Sequence, residues 1–124
     1  MAWSNSKIFS AFITDALNNT AALDIDTDTL KNALFDNSIT PSQTVASASS
    51  AYAAGVWASG GVSDASGWPA AGRTVASVTS GFSSNVYTFD AADTASANAT
   101  TTLTNAFGCL IYDDTLTTPV ADQG

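Results

Sequence analysis

The hydrophobic positions near the start of the chain recur with a helical period. Between residues 6 and 18 they form one apolar face, made of Ile8, Phe9, Phe12, Ile13, Ala16 and Leu17. Asn5 or Ser6 can cap this segment, and Asn18 offers a stop. The pattern predicts a short amphipathic helix within an N-terminal helical arm of about residues 1–19.

Two further segments have helical character. Residues 46–54 are rich in Ala and predict a second short helix, with Gly55 where a left-handed C-terminal cap would fall. Residues 29–36 place Leu30 and Leu34 at helical spacing, but the same residues also suit a strand. Periodicity leaves both interpretations open there.

Strand patterns dominate the second half of the chain. Residues 73–79 alternate, and Ser83-Ser84-Asn85 can turn the chain into the strand-forming residues 86–89. Residues 107–112 form the clearest strand and are apolar on both faces, which predicts a place at the centre of the fold or inside an oligomer contact. Val56 and Trp57 begin an extended piece, and residues 91–105 form a long polar loop.

These patterns predict one domain over residues 1–124. The predicted fold is mainly β, a β-sandwich or barrel-like arrangement, with a short N-terminal helix and a second short helix near residues 46–54. No stretch approaches the ~20 consecutive apolar residues of a membrane span. The first residues also lack the basic start and apolar run of a signal peptide, so neither a membrane partner nor export is predicted.

The charge of the chain limits the kinds of partner that it can bind. Only 11% of residues are charged, against about 25% in an average soluble domain. All eleven acidic residues are Asp, and three basic residues leave a net charge of −8. Because phosphate binding depends on Lys and Arg, a nucleic-acid partner is strongly disfavoured.

The composition also argues against catalysis. The chain has no His, which removes Ser-His-Asp nucleophile activation and His-ligated zinc. Its single Cys109 stands in an apolar run and is interpreted as a small buried hydrophobe. Carboxylates are paired at Asp113 with Asp114 and at Asp90 with Asp93, but turns rich in Asp have the same appearance. The sequence predicts no enzyme and no cofactor.

One acidic motif resembles part of a calcium-binding loop. Asp24, Asp26 and Asp28 form D-x-D-x-D, but position six is Thr29 instead of Gly and position twelve is Phe35 instead of Glu. We interpret the motif as a solvated acidic turn and predict no metal site.

The aromatic residues allow two interpretations. Trp3, Trp57 and Trp68 stand beside polar or Gly-rich sequence, where they either pack over the sheet or anchor a contact between subunits. The candidate protein-interface residues are Trp3, Phe9, Phe12, Trp57 and Trp68.

Four segments spanning most of the chain carry a family resemblance. They are TLKNALFDN at 29–37, SAYAAGVW at 50–57, VYTFDAADTA at 86–95 and GCLIYDDTLTTPVADQG at 108–124. The sequence resembles a family of small structural proteins encoded among the head genes of tailed bacteriophages, often called minor capsid or head decoration proteins. Members of that family usually continue beyond the segment matching residues 122–124 into further strands, where this sequence stops.

The resemblance implies a β-rich fold, with residues 29–36 as a strand. It further implies a capsid decoration (cement) subunit that binds the major capsid protein in many copies as a homo-oligomer, a trimer or other symmetric cluster. Its location would be the outer capsid surface of the virion, after synthesis in the host bacterial cytoplasm. The alternatives are a tail or tail-fibre structural subunit and a carbohydrate-binding module that uses exposed Trp57 or Trp68 as a stacking platform.

Overall fold

The computed structural model describes residues 7–18, 23–117, 120–122 and 124. Its elements in chain order are α1 (Ser10–Leu17), β1 (Leu30–Phe35), α2 (Ser47–Ser50), a 3-10 helix (Gly55–Ala58), β2 (Gly61–Val62), β3 (Arg73–Thr74), β4 (Thr79–Ser83), β5 (Val86–Asp90) and β6 (Gly108–Asp113). The predicted class, mainly β with two short helices, is confirmed. The strands form a four-stranded antiparallel sheet and a separate two-stranded hairpin.

Strand β1 organises the four-stranded sheet. It pairs along its whole length with β6, from Leu30 opposite Asp113 to Phe35 opposite Gly108. Its other edge is shared by β2 at one end and β3 at the other. The segment that periodicity left open between helix and strand is therefore a strand, because three partners satisfy its backbone groups.

The position of β6 corrects the prediction of a central place for this strand, while the alternative of an oligomer contact stays a prediction. Among the described strands β6 pairs only with β1, so it lies at an edge of the sheet instead of its centre. Only one of its faces is buried: Leu110 and Tyr112 point into the core, while Cys109 and Ile111 are exposed. Side chains alternate between the two faces of a strand, so the continuous apolar run does not require burial on both sides.

The core lies between one face of the sheet and the helical segments. It contains Ala33 and Phe35 of β1, Leu110 and Tyr112 of β6, Ile39 from the loop after β1 and Trp57 of the 3-10 helix, with Phe9 and Tyr52 packed against it. Trp57 meets Phe35 edge-to-face at a ring distance of 4.9 Å, and Tyr52 stacks on Tyr112 at the same distance. Such aromatic pairs add about 0.5–1.5 kcal/mol each beyond the area they bury.

The first helix starts later than its apolar pattern predicts. The predicted caps at Asn5 and Ser6 lie outside the described residues, and α1 begins at Ser10 after an extended Phe9. That extended backbone lets the Phe9 ring reach Trp57, at a ring distance of 6.2 Å. The Ser10 N–H also donates to the Gln43 carbonyl at 2.9 Å, so long-range contacts that no local pattern reveals lie at the start of the helix.

The second helix is also shorter than predicted. It covers only Ser47–Ser50, and the chain is extended again at the buried Ala51. Gly55 does adopt a left-handed conformation, with φ of 54°, but it opens the 3-10 helix Gly55–Ala58 instead of closing α2. The extended piece predicted at Val56 and Trp57 is therefore a helical turn.

The strand predicted over residues 73–79 is interrupted. Arg73–Thr74 forms β3, and β4 begins only at Thr79. Ser77 between them has a left-handed φ of 54°, which a continuous strand does not allow. Of the helices in the described part of the chain, none has the length and apolar content to cross a bilayer.

Candidate protein-binding site

The hairpin of β4 and β5 exposes an aromatic face. Its predicted turn is confirmed: Ser84 and Asn85 both have positive φ, as a type I′ turn requires. The register places Phe82 opposite Tyr87 and Ser80 opposite Phe89, so all three rings share one face. Phe82 is 71% exposed, and Tyr87 and Phe89 are also exposed. Three exposed rings on one face form an apolar surface of the kind that binds a protein partner.

The aromatic face borders a cleft, which we name the hairpin–helix cleft. Its volume is about 370 Å³, and its apolar lining consists of Phe12 and Ala16 of α1, Leu23 and Ile25 of the following segment, and Tyr87 of β5. This volume lies at the lower end of the range that ligand pockets occupy, about 300–1,000 Å³. The cleft therefore has room for large apolar side chains.

Acidic and hydroxyl groups complete the lining of the cleft. Asp24, Asp26 and Ser80 supply them. The Ser80 hydroxyl donates to a carboxylate oxygen of Asp26 at 2.7 Å, which ties the hairpin to the acidic turn. The backbone N–H of Asp24 donates to the Asp28 carboxylate at 2.8 Å. Exposed carboxylates thus stand directly beside apolar surface.

The D-x-D-x-D motif forms the acidic turn, and its side chains stabilise that turn and line the cleft. Its three carboxylates have separate roles, since Asp26 accepts from Ser80, Asp28 accepts from a backbone N–H, and Asp24 lines the cleft. Across the residues that the structure places, no three acidic or cysteine side chains converge into a group able to hold a metal ion.

The five interface candidates from the sequence have different positions. Trp3 lies outside the described residues. Phe12 is half-buried and lines the cleft, whereas the half-buried Phe9 packs on Trp57 and belongs to the core periphery. Of the four candidates that the structure describes, only Phe12 therefore lies in the candidate site.

Two of the candidates require a correction. Trp57 is 5% exposed and Trp68 is 6% exposed, so both are core residues of this chain. Trp68 lies in a turn in which the backbones of Asp64 and Trp68 pair. The long loop of residues 91–105 contacts that turn, because the Ala97 N–H donates to the Gly67 carbonyl at 3.0 Å. Neither indole offers an open face to a subunit or to a sugar, which removes the basis of the carbohydrate-binding alternative.

Cys109 also departs from its prediction. It lies on the exposed face of β6, where we expected a buried side chain. Partial desolvation raises the pKa of the Cys109 thiol, which keeps it protonated and weakly nucleophilic.

One carboxyl group in the structure has an unusual environment. Asp113 is only 4% exposed, and it accepts from the backbone N–H groups of Thr115 at 2.8 Å and Leu116 at 3.1 Å. Burial raises the pKa of Asp113, and the neighbouring Asp28 carboxylate raises it further, against the lowering effect of those N–H donors. Asp113 therefore anchors the turn after β6 and binds a proton more tightly in the folded chain than in the unfolded one.

We predict that Asp113→Asn changes how stability depends on pH. A folded-state pKa above the unfolded value gives stability that is present at low pH and is lost as pH rises through the folded pKa. The Asn variant should therefore gain stability relative to the parent chain as pH rises from below the ordinary aspartate pKa of 3.8 towards neutrality. Urea denaturation between about pH 3.5 and pH 8 measures this difference. A constant difference across that range would contradict the prediction.

Asp113→Ala is the matched comparison for that experiment. Asn keeps an oxygen that can accept from Thr115 and Leu116, whereas Ala leaves both N–H groups without an acceptor. The Ala variant should therefore be about 1–3 kcal/mol less stable than the Asn variant at every pH in the series.

The hairpin aromatics were not among the candidates from the sequence. Phe82, Tyr87 and Phe89 carry a signal that could have revealed them, since the turn at 83–85 places Phe82 opposite Tyr87 and alternation places Phe89 on the same face. The exposure of that face has no sequence signal, because it depends on the hairpin standing apart from the main sheet.

Comparisons with protein-family models, with curated proteins and with solved structures found no match for this chain.

Proposed function

We propose that this chain is a structural subunit of a tailed-bacteriophage particle, a decoration (cement) protein that binds the major capsid protein on the outer face of the head in many copies. The family resemblance of residues 29–37, 50–57, 86–95 and 108–124 supports this proposal. The observation that carries the binding role is the exposed aromatic face of the β4–β5 hairpin beside the hairpin–helix cleft.

The hairpin supports a binding role through its energetics. Burying a Phe or Tyr side chain at an interface is worth about 1.5–3 kcal/mol, and the hairpin presents three such side chains on one face. Aromatic residues, Phe and Tyr included, are enriched at the centres of protein interfaces. The docked hairpin would also gain the packing that it lacks in the free chain.

The charge of the chain supports a location on the outer face of the head shell. A net charge of −8 repels the DNA that fills the head, and it leaves the chain compatible with a surface that faces solvent. The absence of His, together with an exposed thiol whose pKa is raised, supports a role in binding instead of catalysis.

Heating particles tests the cementing role. Virions assembled with this chain should keep their DNA to a higher temperature than virions assembled without it, measured by dye access to DNA during a temperature ramp. The chain should also be present in hundreds of copies per particle by quantitative mass spectrometry. A few copies per particle would favour the tail-subunit alternative, and a chain absent from purified virions would overturn a structural role.

A pair of variants tests the binding surface. Phe82→Ser combined with Phe89→Ser should keep the fold but lose retention on head shells, because it removes two of the three exposed rings. Phe107→Ser is the matched control, since Phe107 is an exposed aromatic residue beside β6 and outside the hairpin. Equal retention of the double variant and the control would show that the hairpin does not bind the shell.

A further inference from the structure

We infer that the hairpin–helix cleft receives an apolar segment flanked by Lys or Arg, presented by a protein other than a second copy of this chain. The inference rests on the proposed function, for which it specifies the chemistry of the partner surface. It is carried by the juxtaposition of apolar side chains with the exposed carboxylates of Asp24 and Asp26 in the lining of one cleft.

The floor of the cleft selects apolar side chains. Its apolar lining comes from three parts of the chain: Phe12 and Ala16 of α1, Leu23 and Ile25 of the following segment, and Tyr87 of the hairpin. Ile13 and Leu17 of the same helix are also exposed and add apolar surface to α1. A partner that inserts one or two large apolar side chains would cover this area and exclude water from it.

The rim of the cleft selects positive charge. Asp24 and Asp26 are both exposed at the lining, and the 2.7 Å hydrogen bond from Ser80 holds the Asp26 carboxylate in place. Of the three cations in the chain, Lys31 is paired with Asp114 at 2.8 Å, and neither Lys7 nor Arg73 lines the cleft. The rim carboxylates therefore have no lysine or arginine beside them in the described lining, and they are available to a partner's cations.

The same charges disfavour a second copy as the occupant. Each copy carries a net charge of −8, and its hairpin lies next to its own acidic turn. Docking the hairpin of one copy into the cleft of another would bring two acidic turns together, and like charges in a contact oppose binding. A basic segment on a different protein meets complementary charge at the same place.

Binding to head shells that lack this chain tests the inference. The variant Asp24→Asn combined with Asp26→Asn keeps the size of both side chains and leaves an oxygen to accept from Ser80. It should bind shells about tenfold more weakly than the parent chain at low salt, the combined effect of two lost charge pairs. The affinity of the parent chain should also fall more steeply with added NaCl than that of the variant.

The control variant is Asp93→Asn combined with Asp122→Asn. It changes the net charge by the same amount at two positions outside the cleft lining. An equal loss of affinity in both double variants would overturn the inference, because the effect would then be one of overall charge. Unchanged affinity and salt dependence in the cleft variant would overturn it too, while leaving the proposed function intact.

Two further outcomes separate the inference from its premise. If the parent chain fails to bind shells at any salt concentration, the proposed function itself is wrong. If the purified chain forms dimers that Tyr87→Ser abolishes in sedimentation experiments, the cleft takes a second copy and the inference is overturned. Circular dichroism and urea midpoints equal to those of the parent chain confirm that each variant is folded.

Discussion

Replacing Gly72 with Ala is expected to destabilise the fold by about 3 kcal/mol or more, a large share of the ~5–15 kcal/mol that holds a typical domain folded. Gly72 has a φ of 80°, a conformation that L side chains rarely adopt. A Cβ at this position would also overlap the backbone carbonyl of Asn32 in β1. Backbone cannot rotate away as a side chain can, so the turn that leads into β3 would have to move off the sheet.

Gly61→Ala is the matched control for that prediction. Gly61 lies in β2, on the same edge of β1, but it has no positive φ, and a methyl group added there would meet nothing within 4 Å. Its substitution should change the free energy of unfolding by less than about 1 kcal/mol. Urea denaturation followed by tryptophan fluorescence measures both variants. Similar midpoints for the two would contradict the role assigned to Gly72.

Phe35→Ala is expected to cost about 3–5 kcal/mol of folding free energy. Phe35 is 1% exposed at the middle of the core, and its ring meets Trp57 edge-to-face. Removing the ring leaves a cavity between the sheet and the 3-10 helix, and both the apolar contact and the aromatic pair are lost. The loss of the ring should also change the fluorescence emission of Trp57 in the folded variant, before any denaturant is added.

Phe82→Ala deletes the same ring from the exposed hairpin and serves as the comparison. Because Phe82 is 71% exposed, its removal should change the unfolding free energy by less than about 0.5 kcal/mol. The two variants thus separate stability from binding: Phe35→Ala should weaken the fold, and Phe82→Ala should weaken retention on the shell. A large loss of stability in Phe82→Ala would mean that the hairpin packs on the body of this chain.

Local patterns predicted the elements whose cause is local. The turn at residues 83–85 and the strand after it were predicted correctly, because Ser84 and Asn85 can adopt the left-handed conformations of a tight hairpin. Gly55 was correctly expected to have positive φ, although the helix that it was meant to close ends earlier. The mainly β class with short helices also followed from the sequence.

Features that depend on distant contacts were missed. The start of α1 coincides with the long-range contact of Phe9 with Trp57. The edge position of β6 reflects the pairing of β2 and β3 with the other side of β1. Trp57 and Trp68 have polar or glycine neighbours in sequence, but both are buried. Trp57 packs on Phe35 of β1, and the long loop contacts the turn around Trp68. A window of neighbouring residues contains no information about such partners.

The candidate site was only partly predictable, for the same reason. Phe12 and the acidic residues Asp24 and Asp26 were singled out separately, as a helix face and as a solvated turn. Their meeting with Tyr87 around one cleft depends on how the hairpin is tied to the turn by Ser80 and Asp26. The acidic and the apolar residues could each be identified from the sequence. That they meet around one cleft could be seen only in the folded structure.

The long separation between β1 and β6 determines when this protein can fold during its synthesis. The ladder joins residues 30–35 to residues 108–113, so the ribosome must supply nearly the whole intervening chain before the sheet can close. At about 5–20 residues per second, β1 waits for several seconds with Leu30 and Phe35 exposed to other chains. Extra chaperone should therefore raise the soluble yield of this protein in bacteria, by shielding that strand until its partner arrives.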